Sequence, residues 1–280
     1  MEAGLIESFH GPAEEFVLRR GPQQVNVPVR PGGRLLSGDQ LEVGTENGHI
    51  TLWLFDPETH KKSVVVLSKQ PQIYVVRGHR QAQHSSSRFS AIWDWAAHEL
   101  GLRADEAEER IMAAAAIRGG AGLSAPLLES RQVLAAGHRA ITLAWTQSEG
   151  PVRVVIEAGD SRVLAQEVTS SREWTSPAID LSPGTYKIVL RENSGEPIVA
   201  QLDVAEATAL PVLPDASAAE GMPAEMIRTV HATWLAGQAR GLYALESLQL
   251  VAGLADRYYP AKLLRDALVE GSLPSVPPSR

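Results

Sequence analysis

The chain has 280 residues, 44% of them hydrophobic, and a formal net charge of −7. At roughly 100–200 residues per domain, that length holds about two domains with buried cores, and the acidic balance argues against a general nucleic-acid binder, whose surface would be basic. With no cysteine, disulfides, thiol nucleophiles and thiolate metal sites are excluded.

The opening MEAGLIESFHGPAEEF has neither the basic start nor the apolar run of about 7–15 residues that a secretory signal needs. No window approaches the ~18 consecutive apolar residues of a membrane span. The expectation is a cytoplasmic protein without a membrane span, or a periplasmic one if a targeting or anchor segment has been removed.

From 14 to 83 the signals are short strands broken by turns: EFVLRR, QVNVPV, RLLSGDQLEV, HITLWLFD, KSVVVLSK and QIYVVRG. Ile50, Leu52 and Leu54 fall on one face of a strand, with Thr51, Trp53 and Phe55 on the other. Asn47-Gly48 reads as a tight hairpin, because that dipeptide tolerates positive φ. Gly38-Asp39 reads as a turn whose carboxylate can bond nearby backbone amides. Strands at this spacing predict a small barrel or sandwich.

The stretch GGRLLSGDQLEVGTENGHITLWLFD resembles the core of FecR-type β domains, through Leu36, Gly38, Asp39, Leu41 and Val43 and the following strand Ile50, Leu52, Leu54. The family's frequent Asp-Gly hairpin after that strand is replaced by DPETHKK. The resemblance implies a role in bacterial signal transduction, often the control of a sigma factor.

Residues 84 to 130 read as a helical linker region. FSAIWDWAAHELGL carries Phe89, Ile92, Trp93, Ala96 and Leu100 at helical spacing, and ADEAEERIMAAAAIRGG reads as a second helix, acidic in its first turns.

Strand patterns return from 131 to 206 with RAITLAW, VRVVIEAG, RVLAQEV, PAIDL, TYKIVLRE and IVAQLDVAE. In LSPGTYKIVL, Pro183-Gly184 turns the chain, and Ile188 and Leu190 share the face of Tyr186 while Val189 makes the adjacent position apolar too. This part resembles immunoglobulin and fibronectin type III sandwiches, in which a tyrosine after such a corner bonds nearby backbone and a tryptophan on an early strand fills the core. The resemblance implies a buried, structural role for Leu181, Tyr186 and Trp145.

A Pro- and Ala-rich linker spans 207–222, and PAEMIRTVHATWLAGQ, LYALESLQLVAGLAD and PAKLLRDALVEG then predict a helical hairpin with a third short helix over 223–271. Pro223 and Pro260 stand at helix starts, and Leu245, Leu248, Val251, Ala252 and Ala255 form an apolar stripe. Residues 272–280 read as a flexible tail. The whole predicts a multidomain, mainly β chain with helical segments.

Motifs for chemistry do not assemble. His98-Glu99 lacks the second histidine of a zinc-protease helix, and His79 and His84 read as solvated loop residues. Ser124 lacks the glycines of a nucleophile elbow, and the carboxylates Asp105, Glu106, Glu108 and Glu109 read as a solvated helix face. The expectation is a non-enzyme without catalytic, cofactor or metal residues. Its partner would be another protein, such as a sigma factor, a protease or a signalling enzyme, and not nucleic acid.

Interaction candidates are Trp93, Trp95, Trp234 and Tyr243, because aromatics anchor protein interfaces. Trp93 and Trp95 point about 200° apart on a helix, so one faces the core and the other is exposed or covered by a neighbouring domain. Two further readings stand: a carbohydrate or cell-surface binding module that stacks sugars on Trp53 or Trp174, and an enzyme whose site is assembled from scattered residues.

Overall fold

The first strand of the chain lies at the centre of a sheet. The computed structural model describes residues 2–30, 33–44, 48–55, 62–68, 73–77, 91–92, 95–96, 98–100, 122–146, 148, 150–159, 161–168, 172–192, 195–215 and 223–277. The predicted helix over 104–120 and the sequence around Asn47 lie outside them.

Strands β1 (Glu2–His10), β4 (Arg34–Leu36), β6 (His49–Phe55) and β7 (Lys62–Ser68) make one four-stranded sheet in the order β4-β1-β6-β7. Strands β2 (Phe16–Arg20), β3 (Val25–Val27), β5 (Gln40–Val43) and β8 (Tyr74–Val75) make a second, ordered β3-β2-β5-β8. The β unit therefore begins before residue 14, with β1 paired on both sides. Gly4 makes this possible: a Cβ there would run into the Trp53 carbonyl oxygen and Leu54. Between the sheets lie Ile6, Phe9, Phe16, Leu18, Leu35, Leu41, Ile50, Leu52 and Leu54, all buried.

The described strands that flank residues 45–47, β5 and β6, belong to different sheets and do not pair as the two arms of a hairpin. The Gly38-Asp39 turn also carries the chain from one sheet to the other. Gly38 has φ +90°, a conformation that suits glycine. The fully buried Asp39 accepts the Leu36 N–H at 2.9 Å and Arg20 Nη2 at 2.7 Å. Arg20 Nη2 also donates to the Arg34 carbonyl at 2.7 Å. One ion pair thus ties β2 to the β4–β5 crossover.

The middle unit is a sandwich. A five-stranded sheet runs β13 (Ser161–Val168), β12 (Val152–Ala158), β16 (Gly184–Glu192), β17 (Ile198–Ala205) and β9 (Gln132–Ala135), with β9 parallel to β17. Two shorter pairs complete it: β10 (Gly137–Arg139) with β15 (Ile179–Leu181), and β11 (Thr142–Ala144) with β14 (Glu173–Thr175). Val152, Val154, Ile156, Tyr186, Ile188 and Leu190 alternate inward and are buried, as the period-two pattern requires. Trp145, just after β11, is completely buried. The Tyr186 hydroxyl accepts the Ser182 N–H and donates to the Ser182 carbonyl, both at 3.0 Å. That is the corner geometry of immunoglobulin-type sandwiches.

Helices α1 (Ala224–Ala236), α2 (Ala244–Ala252) and α3 (Tyr259–Val269) follow. Pro223 occupies the N-cap of α1, and Pro260 lies in the first turn of α3. The α1–α2 connection turns through Ala239 and Arg240, both in the left-handed region at φ 45° and 57°. Leu245, Leu248, Val251 and Ala255 are buried.

The units share a core. Leu5 and Trp53, on the opposite face of β1 and β6 from Ile6 and Leu52, pack in one apolar cluster with Trp145 and Leu190 of the sandwich and Leu235, Leu248 and Leu264 of the helices. Phe9 packs at a tilt against Tyr259, with ring centres 5.5 Å apart and planes 54° apart.

Candidate interaction surfaces

The sandwich meets the helices through a polar seam along α2. Arg139 Nη1 donates to both oxygens of the buried Glu246 carboxylate, which also accepts the Ala135 N–H at 3.0 Å. Gln132 accepts the Leu245 N–H at 2.9 Å and donates to Ser130 Oγ. The Gln249 amide accepts the Thr142 N–H at 2.6 Å and donates to its carbonyl at 2.9 Å, filling on that side of β11 the role that a neighbouring strand's backbone would play. Glu246 and Gln249 satisfy strand backbone groups from the helix side, and Gln132 satisfies a helix N–H from the strand side, so the seam orients the two layers.

The aromatics expected at interfaces divide. Trp234 is buried at 6% exposure and belongs to the shared core, so it offers no docking face. Tyr243 is half-buried, immediately before α2, and packs on the same core. Trp93 lies outside the described residues. Trp95 is half-buried on helical residues 95–96, its Nε1 donating to Ser275 Oγ at 3.0 Å. Trp53 and Trp174 are buried at 3% and 7%, which removes both platforms expected to stack sugars.

A surface not expected from the aromatic content lies on the outer face of the five-stranded sheet. The register aligns Ala165, Val155, Val189 and Val199 in one row across β13, β12, β16 and β17. Val199 is 55% exposed. On one side of this row Glu157 and Lys187 form an ion pair at 3.5 Å, and on the other stand the exposed Arg153 and Arg191. Val189 carried the signal: it breaks the alternation of its strand on the solvent side.

Three buried or half-buried titratable groups lie on β1 and in the helical part. Burial pushes the Glu7 carboxyl up, reinforced by the charge of Glu225. Burial also lifts the Tyr258 hydroxyl well above its ordinary value, with Glu7 and Glu225 adding to the effect. Burial depresses His231, opposed by its bond to the Pro211 backbone and by Glu246. Among the described residues no cluster of three or more His, Asp or Glu side chains is arranged to hold a metal, and His79, His84 and the acidic run 105–109 fall outside them. No helix among the described residues is long and apolar enough to cross a membrane.

The fold defines a mainly β protein of antiparallel sheets and sandwich architecture with a helical C-terminal part. No family model matches the chain, and no curated protein matches it. Among solved structures it is similar to one described as "Crystal structure of DIP-gamma IG1+IG2", at 10% identity and a TM-score of 0.15, over 68% of this chain and 82% of that one.

Proposed function

We propose that the protein is a non-catalytic protein-binding regulator or adaptor, docking partners on its sandwich. The single observation that carries this reading is the aliphatic row Val155, Val189 and Val199, exposed at its Val199 end and flanked on both sides by charged residues. An apolar strip with a charged rim is the anatomy of a protein interface, in which a desolvated centre supplies affinity and rim charges supply register. The immunoglobulin-like character of the sandwich supports the same reading, since such folds present sheet faces and end loops to other proteins. The FecR-type resemblance of the N-terminal strands directs the proposal to bacterial signalling, with a sigma factor, a protease or a signalling enzyme as partner.

Affinity purification from source lysate tests it, with the wild-type chain compared against Val199→Lys. The side chain is already in solvent, so the substitution leaves the fold intact. A partner retained reproducibly by the wild type and lost from the variant is expected. Retention of no reproducible protein by the wild type would overturn the reading.

A further inference from the structure

Residues 272–277, read from sequence as the start of a flexible tail, lie in a cleft between two helical elements. Ser275 donates its N–H to Glu99 Oε2 at 3.2 Å and its hydroxyl to Glu99 Oε1 at 2.6 Å, and it accepts Trp95 Nε1 at 3.0 Å. The floor is the end of α1. A Cβ on Gly237 would come within 2.7 Å of the Ser275 carbonyl oxygen, 2.9 Å of Pro277 Cδ and 3.3 Å of Trp95 Cη2. One on Gly241 would collide with Leu273.

The occupant has a specific form. Pro274 and Pro277 are buried, whereas Val276 between them is 79% exposed. Prolines three apart on one face match the three-residue turn of a polyproline II segment. Pro274-Ser275-Val276-Pro277 is therefore a Pro-x-x-Pro segment seated against a tryptophan, with Gly237 giving its backbone room to approach and Gly241 making room for the Leu273 side chain before it. Pro-rich peptides are recognised in this way, because the extended helix is preformed and loses little entropy on docking. Leu273, at 40% exposure, and Val276 leave much of the segment's apolar surface in solvent.

We propose that the cleft framed by Trp95, Glu99, Gly237 and Gly241 is a recognition site for an extended Pro-x-x-Pro peptide with a hydroxyl residue after its first proline, that residues 273–277 fill it in cis, and that a partner protein carrying such a segment displaces them. The inference names a partner chemistry and so rests on the protein-binding reading. Its test needs only this chain and a defined peptide, so it fails separately from the lysate experiment.

The chain has no cysteine, so Val276→Cys gives one labelling site on the full-length protein for a bimane fluorophore, which tryptophan quenches on contact. Replacing Trp95 by Phe in that protein brightens the label several-fold if the segment is docked. The peptide Leu-Pro-Ser-Val-Pro-Pro, added to the Trp95 protein, then raises the fluorescence saturably to the same level. Half the effect falls at about 1 mM or above, the effective concentration set by a short tether. Gly237→Leu, confirmed folded by circular dichroism, is bright without peptide and unresponsive to it. A label that stays dark at saturating peptide, or that responds equally when both prolines are alanine, overturns the proposal. Brightening that depends on protein concentration alone also overturns it, by making a second copy the occupant.

Discussion

Arg139 Nη1 lies 3.0 and 2.9 Å from the two carboxylate oxygens of Glu246, joining β10 to α2 across 107 residues of chain. Glu246 is 7% exposed and Arg139 23%, so the pair is largely withdrawn from water. Removing one partner from such a pair strands the other. Glu246→Ala is expected to cost about 3 kcal/mol in urea unfolding, because it also orphans the Ala135 N–H. Combining Arg139→Met with Glu246→Leu is expected to cost less than the sum of the single changes. Additive losses would show that the pair is not coupled.

Tyr186→Phe removes a hydroxyl that satisfies both backbone groups of Ser182. The ring stays in the core, so the loss reports the corner itself. It is expected to be about 1–3 kcal/mol, the cost of leaving partly buried backbone groups unpaired. Equilibrium denaturation measures it, and a change within error would make the corner incidental.

His231 sets a pH dependence with a definite sign. Burial depresses its pKa below the ordinary 6.5, so the fold holds the neutral ring. Stability from this group is complete above the unfolded value and is lost as pH falls through the depressed one. The melting temperature should therefore drop on acidification below 6.5, and His231→Gln should flatten that part of the profile. An unchanged slope in the variant would assign the acid sensitivity elsewhere.

In the N-terminal unit, Asp39→Ala leaves Arg20 without its buried carboxylate and the Leu36 N–H without its acceptor. A loss of about 3 kcal/mol is expected, the low end for breaking a buried pair. Gly38→Ala acts only through the backbone at φ +90° and should cost about 1 kcal/mol. Thermal melts of the two variants should rank in that order.

Local chemistry made part of this architecture legible. Tyr186, Trp145 and the alternation of β6 were readable because each signal sits within one strand or one turn. The alternation places Trp53 on the opposite face from Leu52, but no strand pattern says what covers that face. The first strand is not legible in the sequence because Gly4 and Glu7 interrupt its apolar alternation, and Gly4 is required by a neighbour some 50 residues distant. Asn47-Gly48 reads as a hairpin because a turn dipeptide marks a change of direction and cannot tell a hairpin from a passage between sheets, such as that from β5 to β6. The seam of Gln132, Arg139, Glu246 and Gln249 pairs residues more than 100 positions apart, and each looks like an ordinary surface side chain. Val155, Val189 and Val199 become a row only once strand register is known.

The place of Leu5 and Trp53 in the same apolar cluster as Trp145 and Leu248 bears on what happens when the polypeptide is cut. Scission between 78 and 90 would break a covalent connection but leave Leu5 and Trp53 on one fragment facing Trp145 and Leu248 on the other. The two fragments should remain bound to each other through gel filtration and part only in denaturant. Expressed separately, each would carry a raw greasy wound and should precipitate or seek its missing half, so the molecule behaves as one indivisible body threaded from several folds.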